Sequence, residues 1–176
     1  MKIATIAGSL RQASINRGLV RACMSVAPEG IEFDALSIGD LPHYDSDLGE
    51  PDTVAAFKAG IERADALLIA TPEYNYSIPG VLKNAIDWAS RPAYQSVFMG
   101  KKTAILGAAY STVGSARAQG HLKQILLGMA TPVFAYPEVL VASAKDKFDA
   151  EGNLVDGVTR DFLARFMEAF VNWAQP

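Results

Sequence analysis

A chain of 176 residues, half of them hydrophobic and 20% charged, is expected to form one core-bearing domain over residues 1–176, which excludes disorder as its main state. A net charge of −3 argues against a surface that coats nucleic acid. No apolar stretch approaches the roughly 18 to 20 residues of a bilayer span: the longest, Ile125 to Tyr136, is interrupted by Gly128, Thr131 and Pro132.

Lys2 to Gly8 (KIATIAG) reads as a strand, too short and β-branched for a helix. Asn16 to Ala27 places Leu19, Val20, Cys23, Val26 and Ala27 on one helical stripe, which Pro28 and Gly30 end. Ile31 to Ser37 fits a second strand, and Ile38 to Thr53, rich in Gly, Pro and Asp, a long surface loop. A helix over Val54 to Arg63 leads into the apolar strand Ala66 to Thr71. Ser77 to Ala89 then reads as a helix with Pro79 in its first turn and a stripe of Val81, Leu82, Ala85, Ile86 and Ala89. Thr103 to Ala109 is the fourth strand, followed by a helix from Ser115 to Met129 that buries Leu122, Ile125, Leu126 and Met129. A fifth strand falls within Val133 to Val141, a polar hairpin-like excursion over Asp146 to Asp156, and a last helix over Val158 to Ala174.

Strands alternating with helices indicate a parallel sheet covered on both faces. At this length the expected fold is α/β, a five-stranded doubly wound sheet in the order 2-1-3-4-5. Such a sheet binds ligands at the carboxyl ends of its strands, near the switch between strands 1 and 3. The loop leaving each strand is therefore informative. After strand 1, Gly8 to Asn16 enters a helix whose start suits a phosphate, with Ser9, Ser14 and Asn16 as short polar groups and Arg11 as charge. Ser14 or Asn16 could equally serve as a plain helix cap. After strand 3, Thr71 to Gly80 holds two prolines and two tyrosines, a fixed loop able to support a flat ring, unless Tyr74 and Tyr76 merely roof it. After strand 4, Tyr110 to Ser115 lines the other side of the same crevice. A phosphate end beside a flanked planar group describes FMN or another nucleotide, and these patterns alone do not separate the two.

Several motifs carry a resemblance. GSLRQASINR and TPEYNYSIPGVLKNAIDWASRP, with GSARAQGHLKQIL, Pro137-Glu138 and FDAEGNL behind them, make the chain similar to the flavodoxin-like NAD(P)H-dependent FMN reductases, in the quinone and chromate reductase branch. The resemblance implies that Ser9, Arg11, Ser14 and Asn16 hold the FMN phosphate. It implies that Pro72, Glu73, Tyr74 and Asn75 flank the isoalloxazine with Tyr76 beside them, and that the segment from Ser111 to Gly114 forms the opposite wall. The expected activity is FMN-dependent oxidation of NAD(P)H, ping-pong, with hydride passing through flavin N5 to quinones and other soluble acceptors such as chromate or azo dyes. The flavin then carries the chemistry, and no side chain is assigned as catalytic acid, base or nucleophile. The alternatives are a flavin reductase that hands reduced FMN to a partner, a flavodoxin-type electron carrier, and a regulatory protein without flavin. Arg11 and the modest charge favour the enzyme over the carrier.

The resemblance further implies a homodimer or homotetramer, with Arg117 at the interface and Gly120 where some relatives have a large aromatic. One cysteine, Cys23, permits no intrachain disulfide or cysteine-based zinc site and reads as a small core residue. With no secretory pattern at the N-terminus, the expected setting is the cytoplasm. His43 reads as exposed, His121 as a surface or interface residue, Trp88 and Trp173 as packing residues, Lys83 and Asp87 as an exposed pair. The acids Asp45, Asp47, Glu50 and Asp52 lack the spacing of a calcium loop. No metal site is expected.

Overall fold

Five apolar runs become strands because their β-branched and aliphatic side chains pack best on pleated surfaces buried from both sides. In a computed structural model, which describes residues 1–135 and 137–175, they are β1 (Lys2–Ala7), β2 (Glu32–Leu36), β3 (Ala66–Ala70), β4 (Lys102–Ala108) and β5 (Val139–Val141). The helices between and after them are α1 (Ile15–Val26), α2 (Asp52–Glu62), α3 (Gly80–Ala89), α4 (Ala116–Leu127) and α5 (Gly157–Ala174). All pairings are parallel and the order is β2-β1-β3-β4-β5, the expected flavodoxin-like arrangement.

Alternation along each strand divides the interior into two cores. Ile3 and Leu68 face α1 and α5, where Leu19, Cys23, Phe166 and Phe170 pack. Ala4, Ile6, Leu67 and Ile69 face the opposite layer, with Phe57, Leu82, Ile86 and Leu122. Cys23 is fully buried, and burial pushes its thiol far above the ordinary range, so it is an inert part of the first core.

Most boundaries shift by one or two residues from expectation, and three of the differences change how the chain packs. The third helix starts at Gly80, not Ser77, because Tyr74 and Ser77 exchange two backbone hydrogen bonds of 2.9 and 3.1 Å and hold the chain in a tight turn. Pro79 is then the residue before the helix rather than part of its first turn. The fourth helix ends at Leu127, and Ile125 within it and Met129 beyond it are only half-buried. The fifth strand is confined to three residues, with Val133 making a separate bridge to Thr103. Pro132 and Pro137 each lack the N–H that a continuous ladder would use. Tyr136, inside the expected strand region, lies outside the described residues.

The long loop after β2 is pinned to α3. Trp88 is buried and donates its indole N–H to the Pro42 carbonyl at 2.8 Å, which Asn84 also reaches at 2.8 Å. The excursion after β5 closes by a bridge between Phe148 and Leu154, both buried in the α1/α5 core. Its tip presses on α1: a Cβ placed on Gly18 would lie 1.7 Å from the Gly152 carbonyl oxygen. Only glycine fits at that point of the helix.

Candidate functional site

The carboxyl ends of β1, β3 and β4 open onto one pocket. It is lined by Ser9, Arg11, Ser14, Ile15 and Asn16 from the first loop and helix start, by Pro72, Glu73 and Tyr74 from the second loop, and by Ala108, Ala109 and Tyr110 from the third. Seven of the residues singled out from sequence thus meet there. Asn75, Tyr76, Ser111 and Gly114 stand outside this lining.

The first loop is built from buried polar groups. Ser9 and Ser14 are 3% and 4% exposed, and Ser14 caps α1 by accepting the Arg17 N–H at 3.5 Å. The first-turn N–H groups of a helix have no intrahelical acceptor, so the start of α1 presents donors and the positive end of its dipole to the pocket. Asn16 has a different task. Its side chain donates to the Ala108 carbonyl at 3.0 Å and accepts the Ala108 N–H at 2.9 Å, a two-way clasp between α1 and the end of β4. Arg11 reaches outward into solvent, while Arg17, not foreseen, donates its Nε–H to the Ser9 carbonyl at 3.2 Å.

The second loop is held by charge. Glu73, with a side chain 6% exposed, forms an ion pair with Arg117 and accepts the backbone N–H groups of Arg117 at 3.1 Å and Ala118 at 3.4 Å. Ser115 supplies no side-chain cap to α4, so this carboxylate takes the place of one from across the crevice. Burial works to raise the Glu73 pKa, but the Arg117 side chain and the two N–H donors outweigh it and hold the carboxyl below its ordinary value. The Arg117 guanidinium lies 3.8 Å over the Tyr76 ring. Asn75 and Tyr76 both have positive φ, 48° and 70°, as the two central residues of a type I′ turn require. Asparagine suits that region; tyrosine does so only under restraint. Ser77, next in line, pairs its hydroxyl with His121 Nδ1 at 2.9 Å.

In the third loop Tyr110 faces the pocket, where the sequence pointed to Ser111 and Gly114. Gly114 is buried with φ of 62°, and a Cβ there would come within 3.0 Å of the Leu140 backbone, so it fits the loop against β5. Ser111 is exposed and gives its carbonyl to the Ser143 N–H at 2.9 Å. The loops after β1 and β3 meet at the Tyr74 hydroxyl, 3.5 Å from Ser9 Oγ.

This donor set suits a phosphate-bearing planar group. Hydroxyls, a helix start and a guanidinium gather at one end, and an aromatic wall stands at the other. The one carboxylate in the lining, Glu73, has both oxygens engaged and leaves little repulsion for a dianion. His43 is exposed, and no group of three or more metal-ligating side chains occurs among the described residues. No helix among them is long and apolar enough to cross a membrane.

The sequence matches the NADPH-dependent FMN reductase profile over residues 1–146. It is 44% identical over 177 residues to a 2-hydroxy-1,4-benzoquinone reductase of a Burkholderia species, covering 99% of this chain and 97% of that one. It is 40% identical over 181 residues to a quinone reductase of Escherichia coli K12, covering 99% and 96%. Among solved structures it is similar to FerB, a flavoenzyme NAD(P)H:(acceptor) oxidoreductase of Paracoccus denitrificans, with a TM-score of 0.90, 42% identity and coverage of 98% and 96%.

Proposed function

The chain belongs to the NADPH-dependent FMN reductase family, and from that premise we propose that it is an FMN-dependent NAD(P)H oxidoreductase whose acceptors are quinones. The observation that carries this reading is the meeting of the first two loops in one pocket, polar and helix-capped on one side, aromatic on the other. When bound, FMN accepts hydride from NAD(P)H and passes electrons to the acceptor. The chain's own part is to bind, orient and confine. Ser9, Ser14 and the first-turn N–H groups of α1 would take the phosphate, with Arg11 closing on it from solvent. Asn16 acts one step back, by fixing α1 against Ala108.

Pro72, Tyr74, Asn75 and Tyr76 would frame the ring, with Glu73 holding that frame to α4 through Arg117. Tyr110 would stand opposite, with Ser111 and Gly114 shaping its loop. NAD(P)H and acceptor would use the same open face of the flavin in turn. The acceptor range extends to chromate or azo dyes as soluble oxidants that reach this face. The exposed rings of Tyr76 and Tyr94 and the exposed Leu127 are apolar surface suited to a homodimer or homotetramer. The working compartment is the cytoplasm, where Cys23 stays a thiol.

The test is steady-state NAD(P)H oxidation by the purified, FMN-loaded protein with 1,4-benzoquinone. Parallel initial-rate lines support the shared-face scheme, and no turnover sinks the enzyme reading in favour of a carrier. Gel filtration after reduction distinguishes the second reading: flavin that leaves with the small molecules marks a supplier of reduced FMN.

A further inference from the structure

A second cavity lies on the α1 side of the sheet edge, apart from the flavin pocket. Its floor is the face of β1 and β2 formed by Thr5, Ala7 and Ala35, continued by Ser37. Its wall is one stripe of α1: Arg17, Val20, Arg21 and Met24. With a volume of about 380 Å³ it is in the range of small-ligand sites. The opening follows from the fold. Helix α1 packs on β1, β3, β4 and α5, displaced toward the middle of the sheet. Ala7 is left half-buried and Ala35 exposed, although both lie on a sheet face that is covered elsewhere.

The lining of this groove carries two positive charges and no carboxylate. Arg17 and Arg21 stand one helical turn apart, an unfavourable like-charge spacing. Neither guanidinium forms a direct ion pair among the described residues; Asp149 is the one carboxylate near enough to Arg21 for that charge to help hold its pKa low. Each is instead oriented by neutral acceptors. Arg17 donates Nε–H to the Ser9 carbonyl, and Arg21 donates Nη2–H to Asn153 Oδ1 at 2.7 Å and to the Gly152 carbonyl at 3.3 Å. Both side chains line the cavity and keep N–H groups to spare, while Val20 and Met24 make the wall beside them apolar. We propose that this groove binds a small carboxylate with an apolar body, the carboxylate between Arg17 and Arg21 and the body along Val20, Met24 and Ala35. Charge complementarity selects an anion, and the apolar wall selects one that is not fully hydrated.

The probe is 2-naphthoate, titrated by calorimetry into the FMN-loaded protein, with 2-naphthalenemethanol as its neutral counterpart. The expected result is one naphthoate per chain, with the alcohol bound about tenfold more weakly, the equivalent of one charge-assisted contact. Arg21→Gln is expected to weaken naphthoate by about tenfold. Ala35→Trp, which fills the groove from the sheet without removing a charge, is expected to abolish binding and leave FMN content and NAD(P)H oxidation unchanged. Equal affinity for acid and alcohol, no heat at millimolar naphthoate, or binding that survives Ala35→Trp would each overturn the proposal. The last would place the probe in the flavin pocket instead.

Discussion

The loop after β1 and the loop after β3 line the same pocket by opposite means. The first is tied down by neutral, buried groups: Ser9, Ser14 and the Asn16 clasp, each within the body of the domain. The second projects its tyrosines outward, with Tyr76 68% exposed, and is secured by one ion pair and a ring under a guanidinium. The proposed phosphate end, built this way, has a pre-organised scaffold that does not itself depend on an ion pair. A ring end built on charge and on a left-handed tyrosine can be adjusted. In the proposed oxidoreductase, that division would separate holding the flavin from exchanging the substrates.

The contrast breaks hardest at Gly18. Gly18→Ala puts a methyl into the Gly152 carbonyl and is expected to cost about 3 kcal/mol by overpacking, read as a lower midpoint in urea. FMN affinity should fall with it, because the displaced helix start is the proposed phosphate end. Next is Asn16→Leu, which leaves the N–H and carbonyl of Ala108 without partners. The expected loss is about 2 kcal/mol, again with weaker FMN retention on gel filtration.

At the ring end, Glu73→Gln is expected to raise the acceptor KM about tenfold, the equivalent of one charge-assisted hydrogen bond, while FMN retention stays unchanged. The pH sign comes from the lowered Glu73 pKa. The tether is complete above the ordinary carboxyl value of 4.5 and is lost as pH falls through the lower folded value. Asp149 and Asp156 are also held low, the first chiefly by the Asn153 N–H and the second by the Thr159 hydroxyl. The acid limb that belongs to Glu73 is therefore the one that Glu73→Gln removes from the acceptor KM profile. The smallest effect belongs to Tyr76→Gly. Relief of the left-handed backbone, about 1 kcal/mol, offsets loss of the ring beneath Arg117, so thermal stability should barely move while acceptor preference broadens.

The sheet order and the choice of loops were legible in the sequence because both derive from periodicity and from where a doubly wound sheet binds. The internal wiring was not. Glu73 and Arg117 are 44 residues apart, and an acid in a ring-side loop carries no local mark of the helix start it will cap. Asn16 looks the same as a cap or as a clasp until Ala108 is placed beside it. Gly18 sits at a mid-helix position where glycine merely weakens a helix prediction; its reason, Gly152, lies in a different part of the chain. The start of α3 is hidden because the I′ turn at Asn75-Tyr76 has no glycine to announce it.

The hairpin around Gly152 acts on the first loop from outside the pocket. The shared family profile ends at residue 146, yet Phe148 and Leu154 complete the interior beneath α1 and Gly152 sets how far that helix can advance. Similarity to the relatives nevertheless runs through this hairpin, since 99% of the chain aligns with the Burkholderia and Escherichia coli proteins. A chain cut at 146 would keep every pocket residue and lose the brace that gives the first loop its shape.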